Sequence, residues 1–411
     1  MFVNYFTDDR RPSPINLAMA RFVLGFWLIW KTIWYNWSRH VETPYLALSP
    51  SREWAIPTSM PWILTVEKWA LIALLCLFVF GYRIRITAAV SSLLLAHLGT
   101  VRRTLVGSGE TGTLFIGVFF LVFSALYAET DELSADGIRR LSGTPVEVVS
   151  ERLSTTAKRR FRMPSLKYSL VVIAVLYFSS GVSKVVEGGG LGFIASDNLA
   201  RLVLVRSYIY PWHEFQTIIV EYPILGALGG FMTLVLEIGF LFAVIFGIAF
   251  TPFMIGLVVF VFSNVAFLGI FFADNLFFLG VFLAYDRAYA RVVLDRRITV
   301  VFDEHCSFCA RVLYPFKLLD INDSVRFVPQ GDAPDRYRDR DDVKFDRFMY
   351  AFYGETAYEG YEAFRELLRQ FRVFFWLVRA MEIPVVERIG RRTYRYVADN
   401  RGRRFACDSN N

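Results

Sequence analysis

Residues 298–316 read ITVVFDEHCSFCARVLYPF, and the way this stretch folds decides the class of its surroundings. The first five residues are all β-branched or aromatic and are bounded by charge, which predicts a buried strand. From Cys309 to Asp320 the apolar positions recur at helical spacing, so a helix follows, with Pro315 expected to kink it. Cys306 then falls at the junction of strand and helix, three residues before Cys309. Unpaired backbone N–H groups and the helix dipole favour negative charge there, and the thiolate is the form that attacks disulfides. His305 and Arg311 add to that field, whereas the carboxylates of Asp303 and Glu304 oppose it.

Three readings of such a pair stay open on these residues alone. A CxxC can be half of a zinc site, but no second CxxC or Cys/His pair accompanies it, so no metal is expected. The pair can be inert, or it can carry redox chemistry. Downstream, 325–329 (VRFVP) and 346–354 (DRFMYAFYG) read as strands, the latter turning at GET into AYEG. Residues 361–371 place Tyr361, Phe364, Leu368 and Phe371 on one helical face. The order β-α-β-β-β-α predicts an α/β, thioredoxin-like domain over 296–411.

The remainder of the chain is of another kind. Of 411 residues, 55% are hydrophobic and 17% aromatic, and the mean hydropathy is +0.40, outside the soluble range. Predicted spans of the ~30 Å hydrocarbon layer lie at 16–37, 61–82, 84–101, 111–128, 168–187, 223–249, 252–271 and 273–290. That is a polytopic α-helical membrane domain of about eight spans over 1–295, with the lipid bilayer as its partner. The stretch 188–222 is too polar to span and suits the interface or a re-entrant path. The start, MFVNYFTDDRRPSP, lacks a basic n-region, so no cleaved signal peptide is expected.

The net charge of +7 has no nucleic-acid recognition motif behind it, so no nucleic-acid partner is expected. Its distribution suits membrane topology better. With the N-terminus inside, Arg10, Arg11, Arg83, Arg85, the run AKRRFR (157–162), Arg287, Arg291, Arg296 and Arg297 face the cytoplasm. Fewer arginines (Arg39, Arg52, Arg102, Arg103, Arg201 and Arg206) lie outside, so the C-terminal domain is predicted cytoplasmic at the cell membrane.

Charges inside spans are costly and face partners or water. At 1.5 Å per residue, Arg21 and Glu237 lie ~8–9 Å from the inner face, which predicts a structural ion pair between them. Lys184 lies ~6 Å from the outer face, near Lys31, Glu67 and Lys68 at ~8–10 Å. His97 is expected to be a satisfied core residue and Cys76 a small apolar filler. Cys407 is either inert or a resolving thiol.

Residues 298–407 resemble the DCC family of thiol-disulfide oxidoreductase-like domains, whose Asp-x-x-Cys-x-x-Cys pattern appears as Asp303, Cys306 and Cys309. The likeness continues through YEGYEAFRELLRQF, WLVRAMEIP and RRTYRYVADNRGRR, although Glu304 stands where the family usually has glycine. The membrane part, in INLAMARFVLGFWLIW, LYFSSGVSKVVEGGGLGF and LVLEIGFLFAVIF, resembles the horizontally transferred transmembrane domain shared with vitamin K-dependent gamma-carboxylase. That resemblance maps the carboxylase's catalytic lysine onto Lys184, while Glu110 stands about where its histidine motif would fall. The leading expectation is a membrane-anchored thiol-disulfide oxidoreductase with Cys306 as nucleophile, Cys309 as resolving thiol and a thiol or disulfide protein as partner. The alternatives are a carboxylase-like membrane enzyme acting on a lipid, quinone or peptide, with Lys184 as base, and a non-catalytic scaffold or peptide-maturation factor. The sequence names no cofactor, substrate or electron partner.

Overall fold

The computed structural model describes residues 2–7, 13–34, 61–106, 112–155, 162–189, 192–195, 198–207, 218–268, 273–294, 296–338, 343, 345 and 348–404. Cys407, Glu110, Arg10, Arg11, Arg39 and Arg52 lie outside them. The chain opens with α1 (Pro14–Trp34), α2 (Pro61–Phe80), α3 (Ile84–Val106) and α4 (Gly112–Leu126). Two short helices follow, α5 (Ala135–Ser142) and α6 (Val146–Ser154). Next come α7 (Pro164–Glu187), α8 (Gly192–Ala195), α9 (Asn198–Ser207), α10 (Ile218–Glu221), α11 (Pro223–Phe246), α12 (Phe250–Leu268) and α13 (Ala273–Gly280). The C-terminal part contains α14 (Tyr285–Ala290), β1 (Ile298–Phe302), α15 (Ser307–Leu319), β2 (Val325–Pro329) and α16 (Asp335–Arg338). It closes with β3 (Tyr350–Tyr353), β4 (Thr356–Glu359), α17 (Gly360–Arg369), α18 (Phe375–Met381) and α19 (Pro384–Arg404).

These elements form two compact units. The first holds 1–12, 16–131 and 161–284, and the second holds 13–15, 132–160 and 285–411. The second unit's C-terminal stretch begins at Tyr285, and the inter-span segment 132–160 packs with it.

Six helices of the first unit are long and apolar enough to cross a membrane: α1, α2, α3, α7, α11 and α12, among the described residues. Helix α4 is apolar but has 15 residues, about 22 Å of rise. The expected span 273–290 divides into α13, a turn and α14, because Asp274, Gly280, Asp286 and Arg287 interrupt its apolar run. Between α7 and α11, the 188–222 stretch forms only short helices. Val203 and Ile219 bury there against Leu268 at the end of α12.

Proline opens α7 and α11 at a position where its missing N–H costs nothing. Helix α11 ends on Gly247 in the left-handed conformation (φ 69°). Helices α7 and α11 pack closely because Gly181 has no side chain: a Cβ there would sit 2.7 Å from Ile238 Cγ1. Close backbone approach at small residues is how helices associate where lipid supplies no hydrophobic drive. That approach also sets the register of the charged side chains described below.

In the second unit the sheet order is β2-β1-β3-β4, with β1 and β2 parallel and β3 antiparallel to β1. Parallel strands need a crossover, which α15 supplies. Both faces of the sheet are covered. Val301, Val328, Tyr350 and Phe352 pack with Tyr337, whose ring stacks on Phe352 at 4.0 Å. On the other face Val300, Phe302, Phe327 and Ala351 are buried, and α17 packs against β1 and β3. The four strands and the helices α15 and α17 appear in the predicted order, with the short helix α16 added between β2 and β3, and α15 runs through Pro315 to Leu319.

Candidate functional site: a capped dithiol and three buried ion pairs

Strand β1 delivers the chain to Asp303, whose carboxylate accepts the backbone N–H of His305 at 3.0 Å, while Cys306 N–H donates to the Asp303 carbonyl at 3.3 Å. This turn stops the strand and starts α15 with Cys306 as its N-cap (φ −86°, ψ 101°). Cys309 is the third residue of the helix. That spacing brings the two Cα atoms within about 5–6 Å, the separation a disulfide takes. Asp303 thus acts on the turn through its hydrogen bond. Glu304, the departure from the family pattern, accepts the N–H of Gly331 at 3.2 Å, and His305 Nε2 lies 3.9 Å from the same oxygen.

Accessibility separates the two thiols. Cys306 is fully buried (0% exposed) and Cys309 is half-buried. Part of the packing comes from a segment that linear reading left in the membrane domain. Helices α5 and α6 pack on α15, and α6 also packs on β2. Ser150 Oγ donates to the carbonyl of Glu304 at 2.9 Å, two residues before Cys306. At the other end of the clasp, Tyr314 O–H donates to Glu132 at 2.9 Å. Val149 and Leu153, four apart on α6, are both fully buried. The signal was present in the sequence as short amphipathic runs, VEVVSERLS and ADGIRRLS, with Ser134 capping α5 through Gly137 N–H at 2.9 Å.

Asp320 is a second residue that motif reading missed. It closes α15 onto β2 by accepting Ser324 N–H (2.9 Å), Ser324 O–H (2.8 Å) and Val325 N–H (2.8 Å). Burial pushes its carboxyl above the ordinary range, and the hydrogen bonds from Val325 and Ser324 pull the other way.

An accessibility test follows from the clasp. Val149→Asp puts an unpaired charge where a buried valine contributed about 1.5–3 kcal/mol, so α6 should lift from α15. Alkylation of Cys306, which samples the open state, should then quicken by about ten- to a hundredfold. Mass-spectrometric mapping of maleimide on Cys306 and Cys309 reads this directly, and an unchanged Cys306 rate would show that α6 does not control access.

Within the first unit the charges pair differently from the depth count. Arg21 forms an ion pair with Asp131, and its Nε donates to the Val79 carbonyl at 3.1 Å. Glu237 is bonded by Lys184 Nζ at 2.7 and 2.8 Å, and by Ser180 at 3.4 Å. The expected Arg21–Glu237 pair is therefore not formed. The depth count set Glu237 and Lys184 near opposite faces, yet their side chains meet, so it misplaced at least one of them. Asp131 lies beyond α4, outside the span charges that were counted. Lys31 pairs with Asp274 at 2.7 Å, and Trp27 Nε1 donates to the same carboxylate at 3.0 Å. His97 Nδ1 lies 2.9 Å from Glu67, the satisfied setting expected for it. Cys76 is exposed on α2 and so does not fill the core. Among the described residues no cluster of three or more His, Cys, Asp or Glu has the arrangement of a metal site.

Geometry and comparison converge on the dithiol unit. Residues 300–407 match the family model of the DCC1-like thiol-disulfide oxidoreductases. The matched segment lies within the second unit, contains both cysteines and supports a thiol-disulfide oxidoreductase role. No curated protein and no solved structure matches the chain.

Proposed function

We propose that the protein is a membrane-anchored thiol-disulfide oxidoreductase whose reactive pair is Cys306 and Cys309. The observation that carries this reading is the position of Cys306 as N-cap of α15, with Cys309 one turn on, inside a segment that matches the DCC1-like family. The β-α-β-β-β-α order and the β2-β1-β3-β4 sheet support a thioredoxin-like frame for it. In the forward step the Cys306 thiolate attacks one sulfur of a partner disulfide. A Cys306–partner S–S bond forms, the partner's bond breaks, and its second sulfur leaves as a thiolate that takes up a proton. Cys309, deprotonated, then attacks Cys306 Sγ, which releases the first partner sulfur and leaves a Cys306–Cys309 disulfide. The partner gains two electrons and the dithiol loses two. Cys306 is buried, so the attack requires a local opening, which we assign to α6 because it packs on α15.

We place the dithiol domain on the cytoplasmic side of the membrane. The placement rests on the positive-inside rule, with Arg83, Arg85, Arg162, Arg287 and Arg291 in segments assigned to the cytoplasm. The reading is tested with inside-out and right-side-out vesicles. A membrane-impermeant maleimide should label Cys309 only when the cytoplasmic face is outward. Labelling from the external face would move the dithiol to an oxidising compartment and reverse the assignment.

A further inference from the structure

Exposed apolar side chains in the second unit are concentrated in one place. Nine of the eleven large hydrophobic side chains exposed among its described residues fall between Val373 and Tyr396. Trp376, 81% exposed, is the most exposed large apolar side chain among the described residues. The inner faces of the two helices involved are already satisfied. Val378 and Met381 of α18 bury against Leu368, and α19 packs on α17 through Gly390, which meets the Tyr361 ring, and Tyr394, which meets Gly360. The outer face of α19 carries Val385, Ile389 and Tyr396, spaced at i, i+4 and i+11.

Cations flank this stripe. Arg388, Arg392 and Arg395 are exposed, and none forms an ion pair among the described residues. By contrast, Arg391 and Arg379 on the same helices are engaged by Glu362, Glu387 and Glu382. An aromatic and aliphatic stripe beside uncompensated arginines is complementary to a layer that is apolar below and anionic above.

Such a layer is within reach. The chain leaves the apolar segments at Ala284, and the residues just beyond are bonded to the root of the patch. Leu294 N–H donates to the Gln370 carbonyl at 2.9 Å, Arg372 N–H donates to the Val292 carbonyl at 3.2 Å, and Gln370 Nε2 bonds the carbonyls of Leu294 and Arg296. Eight Cα-to-Cα steps separate Ala284 from Val292, at most about 28 Å if fully extended. The six of α14 are helical and rise only about 9 Å.

We propose that α18 and the outer face of α19 lie on the surface of an anionic bilayer. Phe375, Trp376, Val385 and Ile389 enter the headgroup region, and Arg388, Arg392 and Arg395 bind lipid phosphates. The contact is independent of the dithiol's chemistry.

The experiment uses the full chain, one copy per nanodisc, with Trp376→p-benzoylphenylalanine as a photocrosslinker. The probe discs contain phosphatidylcholine with or without phosphatidylglycerol. Irradiation should give lipid adducts in phosphatidylglycerol discs, at least about fivefold above the same probe at exposed Tyr353. High salt, and the combined Arg388→Gln, Arg392→Gln and Arg395→Gln changes, should lower that yield. Because Trp376 is exposed, the probe leaves the packing intact, and retained Cys309 labelling checks the fold. A lipid yield no greater than at Tyr353, or adducts to another protein or a second copy in native membranes, would overturn the proposal.

Discussion

Replacing either Cys306 or Cys309 with serine is expected to abolish turnover of a disulfide substrate, with rates falling at least about a thousandfold, because a serine hydroxyl supplies no thiolate. The two variants should differ in what they accumulate. Cys309→Ser retains the residue at the helix N-terminus but cannot resolve, so a mixed disulfide to Cys306 should build up and be visible on non-reducing gels. Cys306→Ser should trap nothing, although Cys309 is the more accessible thiol. The inverse pattern, trapping in Cys306→Ser alone, would assign the attack to Cys309 and make the buried thiol the resolving one. Equal activity in all three proteins would remove the redox reading and leave a binding domain.

Thermal stability in detergent should fall furthest when Lys184 is replaced by methionine. Glu237 is left buried, with 5% of its side chain exposed, and a buried charge stripped of its partner costs about 3–5 kcal/mol. Glu237→Leu should cost less, because Lys184 is 30% exposed and can turn its amine toward a polar region. The double change should recover most of the loss, since removing both charges removes the desolvation penalty with the attraction. Additive losses would show that the two groups do not act as a pair. The same cycle run on Arg21 and Glu237 should be additive, because these residues bond to Asp131 and Lys184 respectively. If Lys184 served as a base in a carboxylase-like reaction, Lys184→Arg would abolish that activity while leaving the ion pair in place. Here the lysine bonds both oxygens of Glu237, a geometry that favours the structural role.

Local order was legible where local physics decides it. The strand Ile298–Phe302 and the helix beginning at Ser307 follow from β-branched clustering and helical periodicity, and they fix Cys306 at the junction. Strand Val325–Pro329 and helix Gly360–Arg369 follow for the same reason. The long apolar helices follow from hydropathy, which reports the free energy of each segment in lipid regardless of its neighbours. Short or interrupted segments were harder: 273–290 carries enough apolar residues for a span, but its polar residues break the helix.

What tertiary structure alone decided were the meetings between segments far apart in the chain. A depth count gives each charge one coordinate along the membrane normal. That coordinate failed for Lys184 and Glu237, which were set near opposite faces and yet meet. Pairing also requires the two helix faces to be turned together, which depended on Gly181 admitting α11 beside α7. Likewise, nothing in residues 132–160 announces that they leave the membrane segments to clasp the dithiol helix, 154 residues away from Ser150 to Glu304. Their amphipathic pattern states that an apolar face must be buried, and only the assembled sheet and α15 supply the surface that buries it. Periodicity is a property of one segment, whereas burial is a property of two, so the chain by itself specified the dithiol and its helix but not how far Cys306 is closed from solvent.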